Sequence, residues 1–176
     1  MKKVFLFLTG ISLLIASCNN EKRTDETSKS ITATPGAESK QERNKKIIIV
    51  AMESFMKGDL DGTFKVADTS YTDYADGSMP PIHNVDTIKS FMKSLINSVE
   101  GYKGENLKYY ADGDYVLVYG DWGGVFKHDL MGMKATGKQV RFKDVDIFKL
   151  NDAGKVVEHS SVQNLGAALM TSNMVK

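Results

Sequence analysis

The segment "KQVRFKDVDIFKL", residues 138–150, sets two carboxylates among apolar side chains. Strict alternation along a strand puts Asp144 and Asp146 on the same side as Val140, Phe142, Phe148 and Leu150. Carboxylates on such a face are costly unless they are paired or face a cavity. In a cavity, desolvation would raise the carboxyl pKa and make Asp146 an acid or base; otherwise the pair reads as a bulge or a cross-strand salt bridge with a nearby Lys or Arg. A second candidate is the Glu158-His159 pair in "GKVVEHSSVQNLG", residues 154–166. On a regular strand these two point to opposite faces. Glu158 then aligns with Ser160, Val162 and Asn164, while His159 turns to the outer surface, as a hydrogen-bonded interface histidine. His83, His128 and His159 show no metal-ligand spacing, and a single cysteine offers neither a disulfide nor a cysteine-based metal site. Nucleophile-elbow, P-loop and dinucleotide fingerprints are missing, and "YGDWGG" lacks the required helix after it, so no cofactor or metal is called for.

Helices precede the strands that carry these groups. In "QERNKKIIIVAMESFMKGDLDGTFKVAD", Ile48, Ala51 or Met52, and Phe55 recur at helical spacing. Gly58 ends that helix, and Asp59 is placed to cap a short second one through Phe64. "YTDYADGSMPPIHN" reads as turn-rich, and Asn84 caps "VDTIKSFMKSLINSV", whose Ile88, Phe91, Met92, Leu95 and Val99 form one stripe. After Gly101 the period becomes two, and "ENLKYYA", "DYVLVYGDWGGVF", "KQVRFKDVDIFKL" and "KVVEHSSVQNL" read as four strands. Asp112-Gly113 and Asn151–Gly154 join neighbours by short turns, which makes the pairing antiparallel. The pattern predicts an α+β domain, one sheet with helices on one face. The second strand is apolar on both sides, Tyr115, Leu117 and Tyr119 against Val116, Val118 and Trp122. Helices can cover only one side, so the other is expected to meet a second copy in a homodimer, unless the sheet curls around its own filling.

The chain starts with "MKK", an apolar run "VFLFLTGISLLIA" and one cysteine, a secretory leader too short for a comfortable span. Ile15-Ala16-Ser17-Cys18 resembles the bacterial lipobox, which implies cleavage after residue 17 and acylation of Cys18. Acyl chains, at about 0.8 kcal/mol per buried methylene, would hold the protein on an envelope membrane, on its periplasmic or surface side. Residues 18–40 are polar and rich in Ser, Thr and charge, and read as a disordered tether before one domain at 41–176. Formal charge is +1, and loss of Lys2 and Lys3 with the leader leaves about −1, which gives no nucleic-acid surface.

The order helix, "KGDLDGTF", long helix, "DGDYVLVYGDWGG" and "MGMKATGKQVRFKDVDIFKLNDAGKVVEHSSVQNLGAAL" resembles the SnoaL-like polyketide cyclases of the nuclear transport factor 2-like superfamily. Gly132, Thr136-Gly137-Lys138, Asp146-Ile147-Phe148 and Gly154-Lys155 through Glu158-His159 follow the family pattern in order. The resemblance covers residues 45–170 and implies a cone: a curved sheet wrapping a long helix, with an apolar pocket at its wide end. Tyr71, Tyr74, Phe91, Trp122 and Phe142, with Met92, are candidates for the pocket lining, plain core being the alternative, and the resemblance adds Phe126, Ser160 and Asn164. The cyclases place a Trp after the Glu-His and a general-base Asp four residues beyond it; this chain has Ser160 and Asn164 there. An amide cannot accept that proton. Phe126 likewise stands where the family has a His, and Asp144 where it usually has a small residue. The function expected is a lipid-anchored envelope protein that binds a small apolar or amphipathic molecule without the cyclase base. The alternatives are an isomerase- or cyclase-type enzyme using Asp146, helped by Glu158, and a protein-interaction module of the envelope.

Overall fold

A computed structural model describes residues 38–171, which lie in a compact unit spanning Gly36–Lys176. The leader, Cys18 and all but the last residues of the tether lie outside the described residues.

Helix α1 (Lys40–Met56) starts where the Ser39 side chain accepts from the Glu42 N–H, and it buries Ile48, Ala51 and Met52. The chain leaves it through Gly58, at a φ of 74° that a side chain rarely adopts. Asp59 caps α2 (Leu60–Phe64) by accepting from Gly62 N–H at 2.8 Å. Strand β1 (Ala67–Asp73) follows. Asn84 then caps α3 (Val85–Ser98), accepting from Thr87 N–H at 2.9 Å, and that helix buries Ile88 and Leu95. Four more strands, β2 (Val99–Asp112), β3 (Tyr115–Phe126), β4 (Gln139–Leu150) and β5 (Val156–Ser161), precede α4 (Leu165–Thr171).

The sheet runs β1-β5-β4-β3-β2, antiparallel except for the β1–β5 pair. This is the α+β fold expected, with α1 and α3 packed on the inner face of a curved sheet. Irregularities in the β2–β3 ladder, between Glu100 and Lys103 and between Glu105 and Lys108, bend the edge strand. Gly124 lets the two strands approach, since a Cβ there would lie 2.7 Å from the Glu100 carbonyl oxygen. Val116, Val118, Trp122, Leu150 and Val156 pack with Ile48, Met52 and Ile88 in one core cluster. A second joins Leu95, Val99, Phe126, Leu130, Val140 and Leu169.

Two elements differ from the sequence reading. "ADTSYTD" is a strand where only a turn-rich loop beyond Asp68 was expected, because its partner β5 is parallel and distant in sequence. "VQNL" leaves the sheet: Val162 and Gln163 turn, and Asn164 opens α4, with the Ala167 N–H donating to its Oδ1 at 2.7 Å. On the outer face, Tyr115 is 44 % exposed. The Lys143 and Lys149 ammonium groups stand 5.4 and 5.9 Å from the Tyr119 and Tyr115 ring centres.

Candidate functional site

The inner face encloses a cavity of about 280 Å³, walled mainly by apolar and aromatic side chains from α1, α3, β3 and β4. Met79 and Met131, about half exposed, lie along it on the loops after β1 and β3. Its ionisable wall comes from three strands. Asp146 projects from β4, His159 from β5 and Asp73 from the end of β1.

His159 faces inward, against the expectation of an outer position. The cause is a bulge. Leu150 pairs with Val156, but Lys149 pairs with Glu158, so β5 carries one extra residue at Val157. An extra residue flips every later side chain to the other face. Glu158 and Ser160 therefore turn outward, and His159 and Ser161 turn in, opposite Phe148 and Asp146 of β4.

The imidazole is held between two carboxylates. Its Nδ1 lies 3.0 Å from Asp73 Oδ2 and its Nε2 lies 3.3 Å from Asp146 Oδ1. Phe148 leans on its ring at 4.9 Å. Burial works against the charged imidazole, but hydrogen bonds to Asp146 and Asp73 win and push its pKa up to about 10. Asp73 is fixed further by the Ala75 N–H at 2.8 Å and by the Tyr71 hydroxyl, which donates to it at 3.1 Å. Burial would raise the Asp73 pKa, but its bond to His159 and these donors bring it below the usual range. Asp146 goes the other way: burial raises its pKa despite His159. Its Oδ2 is buried and has no hydrogen-bond partner among the described residues. Tyr102, also on the cavity, is held protonated by burial and then by the nearby charges of Asp146 and Asp144. The arrangement is a chain, Tyr71–Asp73–His159–Asp146, in which Asp73 orients the imidazole and a proton can pass between His159 and Asp146.

Of the residues expected on the pocket wall, Tyr71, Phe91, Trp122, Phe142 and Asn164 lie on it, as does Asp146. Tyr74 does not: it stands on the turn leaving β1, 43 % exposed, with its backbone N–H donating to the His159 carbonyl at 2.9 Å and its carbonyl accepting from the Gly77 N–H at 2.8 Å. Phe126 is fully buried in the second core cluster, since it ends β3 beyond the cavity. Glu158 pairs with Lys149 at 2.7 Å on the outer face, and Ser160 shares that side. Asn164 Nδ2 donates to Asp76 while its Oδ1 caps α4, so its amide is used structurally. Asp144 accepts from the Ser161 hydroxyl at 2.7 Å and from Gln163 N–H at 2.9 Å, and thereby fastens the turn after β5. Asp73 and Tyr102 escaped the sequence reading. Asp73 sat in a segment with no apolar alternation, and only its pairing with β5 brings it to His159. Among the described residues no cluster of His, Cys, Asp or Glu is placed to hold a metal ion.

A sheet curved over two helices with an ionisable wall inside is a nuclear transport factor 2-like architecture. The model of the SnoaL-like polyketide cyclases matches residues 46–171, and the chain belongs to that family. Among solved structures, it is similar to a candidate polyketide cyclase from Xanthomonas campestris pv. campestris. The TM-score is 0.67 at 18 % identity, covering 76 % of this chain and 99 % of that one. A candidate SnoaL-like polyketide cyclase from Jannaschia sp. CCS1 gives a TM-score of 0.66 at 20 % identity, covering 77 % and 95 %. AclR, a candidate hydroxylase from Streptomyces galilaeus, gives 0.64 at 21 % identity, covering 77 % and 88 %. No curated protein matches the chain in sequence.

Proposed function

We propose that the cavity takes a small, largely apolar molecule and that the Asp146–His159 pair moves a proton on it, as in an isomerase- or cyclase-type enzyme. The observation that carries this reading is the buried Asp146 Oδ2, without a partner among the described residues, beside an imidazole held by Asp73. A desolvated carboxylate with a raised pKa is a stronger base than one in water, and the adjacent imidazolium can return the proton. The base therefore sits on β4 and not at Asn164, where the family resemblance would set it. A non-catalytic binding role is the second reading, favoured by the hydrogen-bonded amide of Asn164.

The test uses 5-nitrobenzisoxazole, whose ring opens when a base removes its one acidic C–H proton and the N–O bond breaks to give a coloured phenolate. The wild-type domain should open it on the order of 100-fold faster than Asp146→Asn. Equal rates, with the probe still bound, would remove the catalytic reading and select the binding one.

Two further parts of the reading come from the sequence. Cys18 is acylated and holds the domain on an envelope membrane; Cys18→Ala should abolish labelled-palmitate incorporation and release the protein from the membrane fraction. The outer sheet face, with Tyr115, Leu117 and Tyr119, joins two copies; a monomer in native mass spectrometry would contradict this.

A further inference from the structure

Trp122 lines the cavity, and its buried indole Nε1 is a second polar atom for which the described residues supply no hydrogen-bond partner. The residue is 4 % exposed. Leaving a buried donor unpaired is costly, so a ligand acceptor that satisfies it is favoured. The ring is also held rigidly. Tyr102 stacks on it at 5.8 Å, Phe55 meets its edge at 6.0 Å, and Gly104 leaves it room, since a Cβ there would lie 3.2 Å from the ring. The direction of the N–H is therefore set before any ligand arrives.

Its position relative to Asp146 follows from the sheet. Asp146 pairs with Val118 of β3, and Trp122 lies four residues further along the same face. At about 3.3 Å per residue the two backbone positions are about 13 Å apart along the strands, a reach on the scale of a small ligand. Phe142, Met92 and Ile88 lie on the cavity wall with them and offer only apolar surface. An indole N–H is a donor only, so its complement is an acceptor. A carboxylate oxygen is complemented by a hydroxyl or enol.

We propose that the ligand is two-ended: a flat apolar skeleton with a carbonyl-type acceptor bound to Trp122 Nε1 and a hydroxyl or enol bound to Asp146 Oδ2. A two-ring skeleton fits within that reach and that volume. This rests on the reading of the cavity as the ligand site, and it makes Trp122 the residue that sets which way round the ligand lies.

The probes are 6-acetyl-2-naphthol, with oxygen at both ends, and 6-isopropenyl-2-naphthol, its isostere with the carbonyl oxygen replaced by a methylene. Probe fluorescence should show the wild type preferring the acetyl compound about 5- to 30-fold. Trp122→Phe should abolish that preference while still binding the isopropenyl compound. Since Trp122 is the only tryptophan in the chain, its single indole N–H resonance should also shift downfield with the acetyl probe and not with the isopropenyl one. That measurement needs no variant. Equal affinities in the wild type, a preference that survives Trp122→Phe, an unmoved indole resonance, or no binding of either probe would each overturn the proposal. Asp146→Asn separates the two claims: loss of proton transfer with an intact acetyl preference upholds the Trp122 contact and the base together. An intact preference with unchanged proton transfer overturns the base alone.

Discussion

Strands β4 and β5 carry the same kinds of residue on both faces, and the two faces treat them in opposite ways. Outside, Glu158 pairs with Lys149, and Lys143 with Asp121 of β3, each lysine reaching out on a long flexible stem. Inside, one residue from Glu158, His159 is wedged between Asp73 and Asp146 with little access to solvent. Exposed pairs contribute about 0–1 kcal/mol because water screens them and ordering the stems costs entropy. Buried partners are each held by the other, since a lone charge left there has nothing to replace its hydration. The cost of losing a partner therefore follows from which side of the sheet a residue faces, not from its type.

Removing one inner partner is the hardest test of that contrast. Asp73→Ala strands His159 without its orienting carboxylate and frees the Tyr71 hydroxyl, and should destabilise the domain by about 3–5 kcal/mol in urea unfolding. A loss under 1 kcal/mol would mean that the inner network behaves like the outer one.

The inner pair should also govern the pH dependence. The folded His159 binds its proton up to about pH 10, against 6.5 for a free imidazole. The fold is thus stabilised fully below pH 6.5 and loses that contribution as pH rises towards 10. Asp146, whose pKa is also raised, acts in the same sense at lower pH. Asp73, depressed from 3.8, gives the opposite limb: its contribution is present above that value and lost as pH falls. Urea midpoints should fall between pH 6.5 and 10 by an amount equal to about 4 kcal/mol, and His159→Leu should flatten the slope. An unchanged slope in that variant would locate the titration elsewhere.

The fold was legible because its signals are local. Asp59 and Asn84 announced their caps, Ile88 and Leu95 their helix face, and the turns between β2 and β5 their antiparallel order. The acidic residue on β4 was legible too, as a charge in an apolar row. What the sequence hid was the consequence of a single inserted residue. Val157 looks like any strand valine, yet the bulge there reverses the faces of Glu158 and His159. Asp73 was hidden because its parallel partner lies 86 residues away. Tertiary pairing, and not composition, assembled the site.

A smaller effect is expected where the two regions meet. Asn164 caps α4 and donates to Asp76 at the cavity edge. Asn164→Asp keeps the cap but sets two carboxylates together, and should cost about 1 kcal/mol at neutral pH. Under the proposed function, with Asp146 as the base, placing an acid where the family's cyclases carry theirs should not raise proton-transfer rates. A rise in 5-nitrobenzisoxazole turnover would move the working site from β4 to the start of α4.

The smallest effect belongs to the outer face. Glu158→Gln removes the charge that Lys149 faces, at a position where both side chains are more than a third exposed. The change should stay within about 0.5 kcal/mol in urea unfolding and leave proton transfer untouched. Its value lies in the neighbour: Glu158 and His159 adjoin in sequence, so a bulge that slipped back by one residue would exchange their environments. A large loss on Glu158→Gln, together with a small one on His159→Gln, would show that β5 in solution takes the unbulged register. The reverse order fixes the imidazole inside the cavity and leaves Glu158 as a solvated surface charge.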